Sequence, residues 1–278
     1  MSRRLFQRSS APEQEVPPPG RYEIRFPEKS RLSQDREYCE VMHEGQWKRI
    51  RFHDYDSIYQ LPGLYEQIFY EALQCRSHDR LSQMLGDALV EHGERINDLR
   101  MLELGAGNGV VGEKMRALGV QALAGLDISP VAREAALRDR PGVYDDYHVL
   151  DLTRLEEAQA GKLRAYRPNC LLAVASLGFG DIPPQALTAA INLVAPRGWV
   201  AMNVKHEFVA SARPDSYGAL LRGMAASGIL EIRSYHIYTH RLSVDGRRLH
   251  YAALVARKVG SEAKDANVAE IALAAKVA

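Results

Sequence analysis

The segment Glu103-Leu104-Gly105-Ala106-Gly107-Asn108-Gly109 constrains this chain more than any other. It follows a short, mainly apolar strand, Met101–Leu104, and runs directly into a helical stretch, Val110–Leu118. Glycines at such a junction let the backbone turn sharply and approach a ligand with no Cβ in the way. The helix beyond presents free amides at its N-terminus.

The same rhythm continues downstream. Ala122–Leu126, His148–Leu152, Leu171–Ala175 and Trp199–Val204 read as strands. Between them Pro130–Arg138, a stretch near Glu156 and Pro184–Leu193 read as helices, two of them opened by proline. This alternation predicts a parallel sheet with helices on both faces. Leu230–Tyr238 and Leu249–Ala256 are joined through Asp245-Gly246, a hairpin signal that makes the end of the sheet antiparallel.

Two acids fall in register with the glycine loop. Asp127, 22 residues after Gly105, ends the second strand, where a carboxylate can accept both hydroxyls of a ribose. Asp151 closes the third strand beside Leu152, where an adenine edge would lie. Gly107-Asn-Gly109-Val-Val-Gly112 also fits the GxGxxG of dinucleotide binders. Against that reading stand Glu103 two residues ahead of Gly105, the closing hairpin and the lack of a second glycine-loop half. These favour a single adenosyl ligand.

ELGAGNG, then GLDIS, then VLDL and the closing hairpin resemble the class I S-adenosylmethionine (SAM)-dependent methyltransferases, over about residues 78–257. The resemblance implies a seven-stranded, mostly parallel Rossmann-like α/β sheet with an antiparallel C-terminal hairpin. It also implies SAM as cofactor or sole substrate. Gly105, Ala106 and Gly107, with Glu103 ahead of them, would face its methionine portion. Asp127 would hold the ribose, Ile128 would pack on the adenine, and Asp151 with Leu152 would bind the adenine amino edge.

At the reactive end the same resemblance puts Ser176 and Asn203 closest to the sulfonium. Neither is a base near neutral pH, and no Asn-Pro-Pro-Tyr or histidine dyad stands in Ala175–Pro184. The expected chemistry is methyl transfer by orientation and desolvation to a small molecule, without a strong general base. Two alternatives keep the fold. One is cyclisation of SAM itself to azetidine-2-carboxylate with release of methylthioadenosine, for which the chain resembles the bacterial azetidine-2-carboxylate synthases at fold level. The other is a SAM-binding module that consumes nothing.

Residues 21–77 read as a small aromatic lobe where the family commonly carries a lid. Tyr55, Tyr59, Tyr65 and Phe69 offer ring faces to a sulfonium, a contact worth ~0.5–2 kcal/mol. Such a lid leaves little room for a nucleic-acid or protein acceptor. Lys plus Arg is 36 against 35 for Asp plus Glu, so no global field draws in nucleic acid or an anionic membrane. Cys39, Cys75 and Cys170 make no disulfide framework or metal knuckle, and no metal is expected. No apolar stretch approaches the ~20 residues of a membrane span, and the N-terminal segment with Arg3, Arg4, Arg8, Ser9 and Ser10 lacks the apolar run of a secretory signal. The expectation is a cytoplasmic protein with residues 1–20 a polar leader, 78–258 the SAM-binding domain and 259–278 a tail.

Overall fold

A computed structural model of the chain describes residues 20–27 and 31–259; the expected leader and tail lie outside them apart from Gly20 and Val259. The N-terminal lobe opens with β1 (Ile24–Arg25), β2 (Tyr38–His43) and β3 (Gln46–Arg51), an antiparallel sheet turned at Glu44-Gly45. Helix α1 (Tyr55–Tyr59) and the turn α2 (Leu64–Glu66) follow, and α2 widens into a π-helical turn over Gln67–Ala72. Cys39, Val41, Phe52, Ile58, Ile68 and Phe69 pack together as this lobe's own core.

The larger part begins with α3 (Ser77–Glu91) and continues as β4 (Arg100–Leu104), α4 (Val110–Ala117), β5 (Ala122–Asp127), α5 (Pro130–Asp139) and β6 (Asp146–Val149). Then come α6 (Glu157–Ala165), β7 (Cys170–Leu177), α7 (Pro184–Leu193), β8 (Trp199–Lys205), α8 (His206–Ala210) and α9 (Tyr217–Ala226). The hairpin of β9 (Leu230–Leu242) and β10 (Arg248–Lys258) closes the fold. The strand order is β6-β5-β4-β7-β8-β10-β9, with only β10 and β9 antiparallel to their neighbours. Alternate residues of the central strands point to opposite faces: Leu171, Ala173 and Met202 pack under α7 and α9, while Cys170, Leu172 and Ala201 pack under α3. The order reverses between β4 and β7, so the crevice for a ligand opens at the carboxyl ends of these two strands.

The sequence reading missed in four places. The third strand lies at Asp146–Val149 rather than His148–Leu152, because Asp151 accepts the Thr153 N–H and turns the chain into a 3-10 segment that holds Leu152. Ser77 reads from the sequence as a cap between two helices, but it does not cap α3; its hydroxyl is held in the core by Tyr238, His240 and Asn203. Helices α8 and α9 had not been anticipated, and α9 is started by Ser216 accepting from Ala219 N. The expected strand Leu171–Ala175 extends to Leu177 and carries a bulge opposite β8, with Ala175 at φ +54°.

Asn203 explains how that bulge is held. It is 0% exposed on β8 and touches no cavity. Its Oδ1 accepts the Ala175 N–H at 2.6 Å, and its amide donates to Ser77 Oγ and Tyr238 Oη at 2.9 and 2.8 Å. The expectation that Asn203 sits at the reactive end is therefore corrected: every polar atom of the side chain is spent inside the core. Glu103 is likewise turned away. It is buried, accepts from Tyr144 Oη at 2.9 Å, and burial pushes its carboxyl up to about 8.

Two predictions follow from these buried groups. Asn203→Leu removes three buried hydrogen bonds and leaves the Ala175 N–H unpaired in the core, and is expected to lower the unfolding free energy by about 2–4 kcal/mol in urea titration. Between the ordinary carboxyl pKa and about 8, native Glu103 keeps a proton that the unfolded chain has released. Its contribution to stability therefore falls as pH rises through that window, by up to about 1.4 kcal/mol per pH unit. Glu103→Gln keeps an acceptor for Tyr144 and does not titrate. Thermal melts from pH 5 to 8 should show the parent losing stability relative to this variant, and a constant difference would assign the proton elsewhere.

Candidate active site

The glycine loop leaves β4 at Gly105, with Gly105 at φ +69° and Gly107 at φ +53°, both in the left-handed region that favours glycine. A Cβ at Gly105 would stand 2.5 Å from the Ser176 Cβ, so only glycine lets the bulged end of β7 approach. A side chain at Gly107 would meet the hydroxyl of Tyr59, whose ring lies directly over the loop. Ser176 in turn donates to the Leu104 carbonyl at 2.9 Å, which fixes its side chain across the strand pair.

Asp127 ends β5 with both carboxylate oxygens engaged by backbone: Oδ2 accepts from Gly107 N at 2.9 Å and Oδ1 from Ser129 N at 3.0 Å. Burial pushes its carboxyl above the usual range, and the Ser129 and Gly107 amides work against that shift. Each oxygen keeps a further lone pair for a ligand hydroxyl.

A cleft of about 460 Å³ opens above these residues. Gly105, Asp127, Ile128 and Ser129 form its floor, and Val174, Ala175, Ser176, Asp181 and Ile182 one wall. The lobe supplies the roof through His53, Asp54, Tyr55, Asp56, Tyr59 and Tyr65. A side pocket of about 60 Å³ continues the floor and is lined by Asp151, Leu152, Leu126 and Leu150, with Ile128 shared. Ile128 is 64% exposed, an apolar side chain with one face uncovered beside that pocket. A smaller annex of about 40 Å³ lies past Ser176, towards Phe52, Phe69 and Tyr251.

The roof is bound to the floor by polar contacts. Glu66 Oε1 accepts from Asn108 Nδ2 at 2.9 Å and pairs with Arg140 at 2.5 Å. Ser129 donates to Asp56, and Arg138 donates to the Tyr59 carbonyl at 2.9 Å. Tyr55 and Tyr59 stack at 6.0 Å and 22°, and Tyr59 packs on Ala132 and Ala135 of α5. Burial pushes the hydroxyls of Tyr55, Tyr59 and Tyr65 up, so these phenols stay neutral.

Of the sequence-predicted residues, Gly105, Asp127, Ile128, Ser176, Tyr55, Tyr59 and Tyr65 meet around the cleft. Asp151 and Leu152 join them through the side pocket. Ala106 is buried behind the loop, Gly107 reaches the site through its amide, and Phe69 lines the annex alone. Glu103 and Asn203 line neither the cleft nor its two extensions. A histidine that the sequence reading did not single out also lines the cleft. His53 Nδ1 lies 2.9 Å from Asp181 Oδ2, and the pair lines both cleft and annex. The two residues are 128 positions apart, so no local spacing could have joined them. Only the cluster Gly178-Phe179-Gly180-Asp181 carried a signal, as a polar turn at the end of the fourth core strand.

Among the described residues no helix is long and apolar enough to cross a membrane, and no three His, Cys, Asp or Glu side chains gather as metal ligands. The three cysteines are free and buried.

The chain was compared with known proteins. No curated protein matches it. Among solved structures it is similar to the N-methyltransferase NodS from Bradyrhizobium japonicum WM9, solved with S-adenosyl-L-homocysteine, at 13% identity and a TM-score of 0.49. That likeness covers 74% of this chain and 97% of that one. Magnesium protoporphyrin IX methyltransferase from Synechocystis PCC 6803, solved with SAM, is 14% identical over 65% of this chain and 79% of its own, with a TM-score of 0.43. A putative RNA methyltransferase from Pyrococcus horikoshii is 14% identical over 66% and 85%, with a TM-score of 0.46. Residues 69–244, more than half of the chain, match the family model described as a methyltransferase domain. With that match spanning the glycine loop, Asp127 and the whole wall from Val174 to Ile182, the chain belongs to the methyltransferase domain family, within the class I SAM-dependent methyltransferase superfamily.

Proposed function

We propose that this protein binds SAM in the roofed cleft and transfers its methyl group to a small molecule. The observation that carries the reading is the cleft itself, about 460 Å³ at the strand-order reversal, roofed by tyrosines and floored by Gly105 and Asp127. The residues fit the ligand. Asp127 keeps free lone pairs for ribose hydroxyls, and the apolar side pocket with uncovered Ile128 suits an adenine, its amino edge towards Asp151 and Leu152. Gly105, with no side chain, leaves space on the floor for the methionine portion, while the amides of Gly105 and Ala106 go to the Leu126 carbonyl and that of Gly107 to Asp127, which holds the loop in place.

When bound, SAM supplies an electrophilic methyl on a sulfonium. The protein's part is to hold and orient. Neutral ring faces of Tyr55, Tyr59 and Tyr65 favour a cation without pairing to it, at ~0.5–2 kcal/mol each. Ser176, anchored on the Leu104 carbonyl, limits the space beside the transferring group. The roof sheds water from the site, which strengthens every charge interaction inside it. The same roof supports a small acceptor over a nucleic acid or protein, which would have to displace it. Nothing in this reading calls for a metal.

Asp127→Ala is expected to weaken SAM binding by about 2–4 kcal/mol in calorimetry, through the loss of two ribose hydroxyl bonds; unchanged affinity would remove Asp127 from the ribose site. The reaction itself is tested by incubating the protein with SAM alone and identifying products by mass spectrometry. Methyl transfer to a separate acceptor predicts bound, unconsumed SAM. Methylthioadenosine with azetidine-2-carboxylate would overturn it in favour of intramolecular cyclisation. SAM that no acceptor consumes would make the protein a binding module.

A further inference from the structure

We propose that His53 and Asp181 form the proton-accepting pair of the acceptor site, and that the acceptor is a small phenol. This rests on the methyl-transfer reading and names its missing chemistry. His53 comes from the lobe and Asp181 from the segment after β7, so the pair exists only when the roof is down. Asp181 Oδ2 holds Nδ1 at 2.9 Å. Among the described residues Nε2 meets no hydrogen-bond partner, and the side chain keeps 16% of its surface exposed. The imidazole is packed at 4.9 Å from Phe179 and 5.9 Å from Tyr55, both edge-on, which fixes its plane. A carboxylate on one ring nitrogen and an open second nitrogen is the arrangement of an oriented general base.

The surroundings select the substrate. The walls around the pair are aromatic: Tyr55 and Tyr65 line both cleft and annex, and Phe52 and Phe179 line the annex. The cation that lines the annex, Arg241, is paired with Glu37, and Lys205, over the Phe179 ring, is paired with Glu207. A flat, uncharged ring suits such walls. Chemistry narrows the choice further. An amine already carries its nucleophilic lone pair, and an alkanol is too weak an acid for imidazole to deprotonate. A phenol, with a pKa of about 10, lies within reach. In the step, the phenol O–H proton passes to Nε2 as the oxygen lone pair forms a bond to the methyl carbon. The carbon–sulfur bond breaks and its electrons stay on sulfur. The products are an aryl methyl ether, S-adenosylhomocysteine and an imidazolium stabilised by Asp181, which then gives its proton to water.

The test uses the full chain with SAM and three probes: catechol, 4-nitrophenol and 2-naphthol. Mass spectrometry should find a methyl ether from at least one. His53→Asn keeps a donor for Asp181 but accepts no proton, and should lower that rate at least a hundredfold. S-adenosylhomocysteine affinity by calorimetry should stay within threefold, since the latch is preserved. Imidazole in the buffer should restore at least tenfold of the rate lost in His53→Ala. Independently of turnover, the reactive phenol added to the S-adenosylhomocysteine complex should shift the ¹⁵N resonance of His53 Nε2. Parent-like turnover in His53→Asn, no imidazole rescue or no resonance shift would overturn the base. A protein that binds SAM but methylates none of the three phenols would overturn the acceptor class. A protein that binds no SAM would overturn the methyl-transfer reading beneath both.

Discussion

The site depends on one amide side chain that never touches it. Ala175 stands at φ +54°, a conformation that costs a non-glycine residue of order 1–3 kcal/mol unless its surroundings impose it. Asn203 imposes it by accepting the Ala175 N–H, and Ser77 and Tyr238 hold Asn203 in turn. The resulting bulge takes β7 out of register with β8 after Ala173 and aims Ser176 across the chain towards Gly105. The segment that follows, with Phe179 at φ +54° and Gly178 and Gly180 also positive, then curls back to present Asp181. A strand that paired regularly to its end would fill this space with its own backbone.

The cleft joins unlike electrostatic surroundings. On its floor Asp127 is a carboxylate lifted by burial and restrained by two amides, a group whose charge a cationic ligand would steady. Overhead the tyrosine hydroxyls are neutral, and the roof presents their ring faces beside the carboxylates of Asp54 and Asp56. At the far wall the His53 imidazole meets the Asp181 carboxylate at 2.9 Å. A buried carboxylate, neutral ring faces and an imidazole–carboxylate pair thus meet in one cleft from different parts of the chain.

Much of this was legible in the sequence because it is local. The glycine loop, Asp127 and Ile128 sit at fixed steps from strand ends, and strand-to-helix geometry turns those steps into positions. The aromatic roof was legible as composition, since Tyr55, Tyr59 and Tyr65 fall at spacings a short helix and its successor bring together. What stayed hidden is set by pairing between distant segments. His53 meets Asp181 across 128 residues, and Asn203 was misplaced because a polar residue near a strand end looks the same whether it faces a ligand or a bulge. Glu103 was misplaced for a related reason: on a strand only one residue further along, it faces the opposite side of the sheet to its neighbours, where Tyr144 waits.

The lobe's attachment has a consequence for how the chain closes on itself. Glu37 and Arg241, 4% exposed or less, pair across 204 residues, and Glu37 also accepts the Val244 N–H. Leu73 and Arg76 join the same stretch of β9 through backbone bonds at 2.8 and 2.9 Å. The far end of β9 is therefore both the sheet's edge and the lobe's anchor. The lobe's contacts with Asn108, Ser129, Arg138 and Arg140 span at most 79 residues, whereas the Glu37–Arg241 pair spans 204, so the bond to β9 carries the greater loop-closure cost. In loop-closure terms the roof therefore has a short-range hold on the glycine loop and α5, and a long-range lock on the last hairpin.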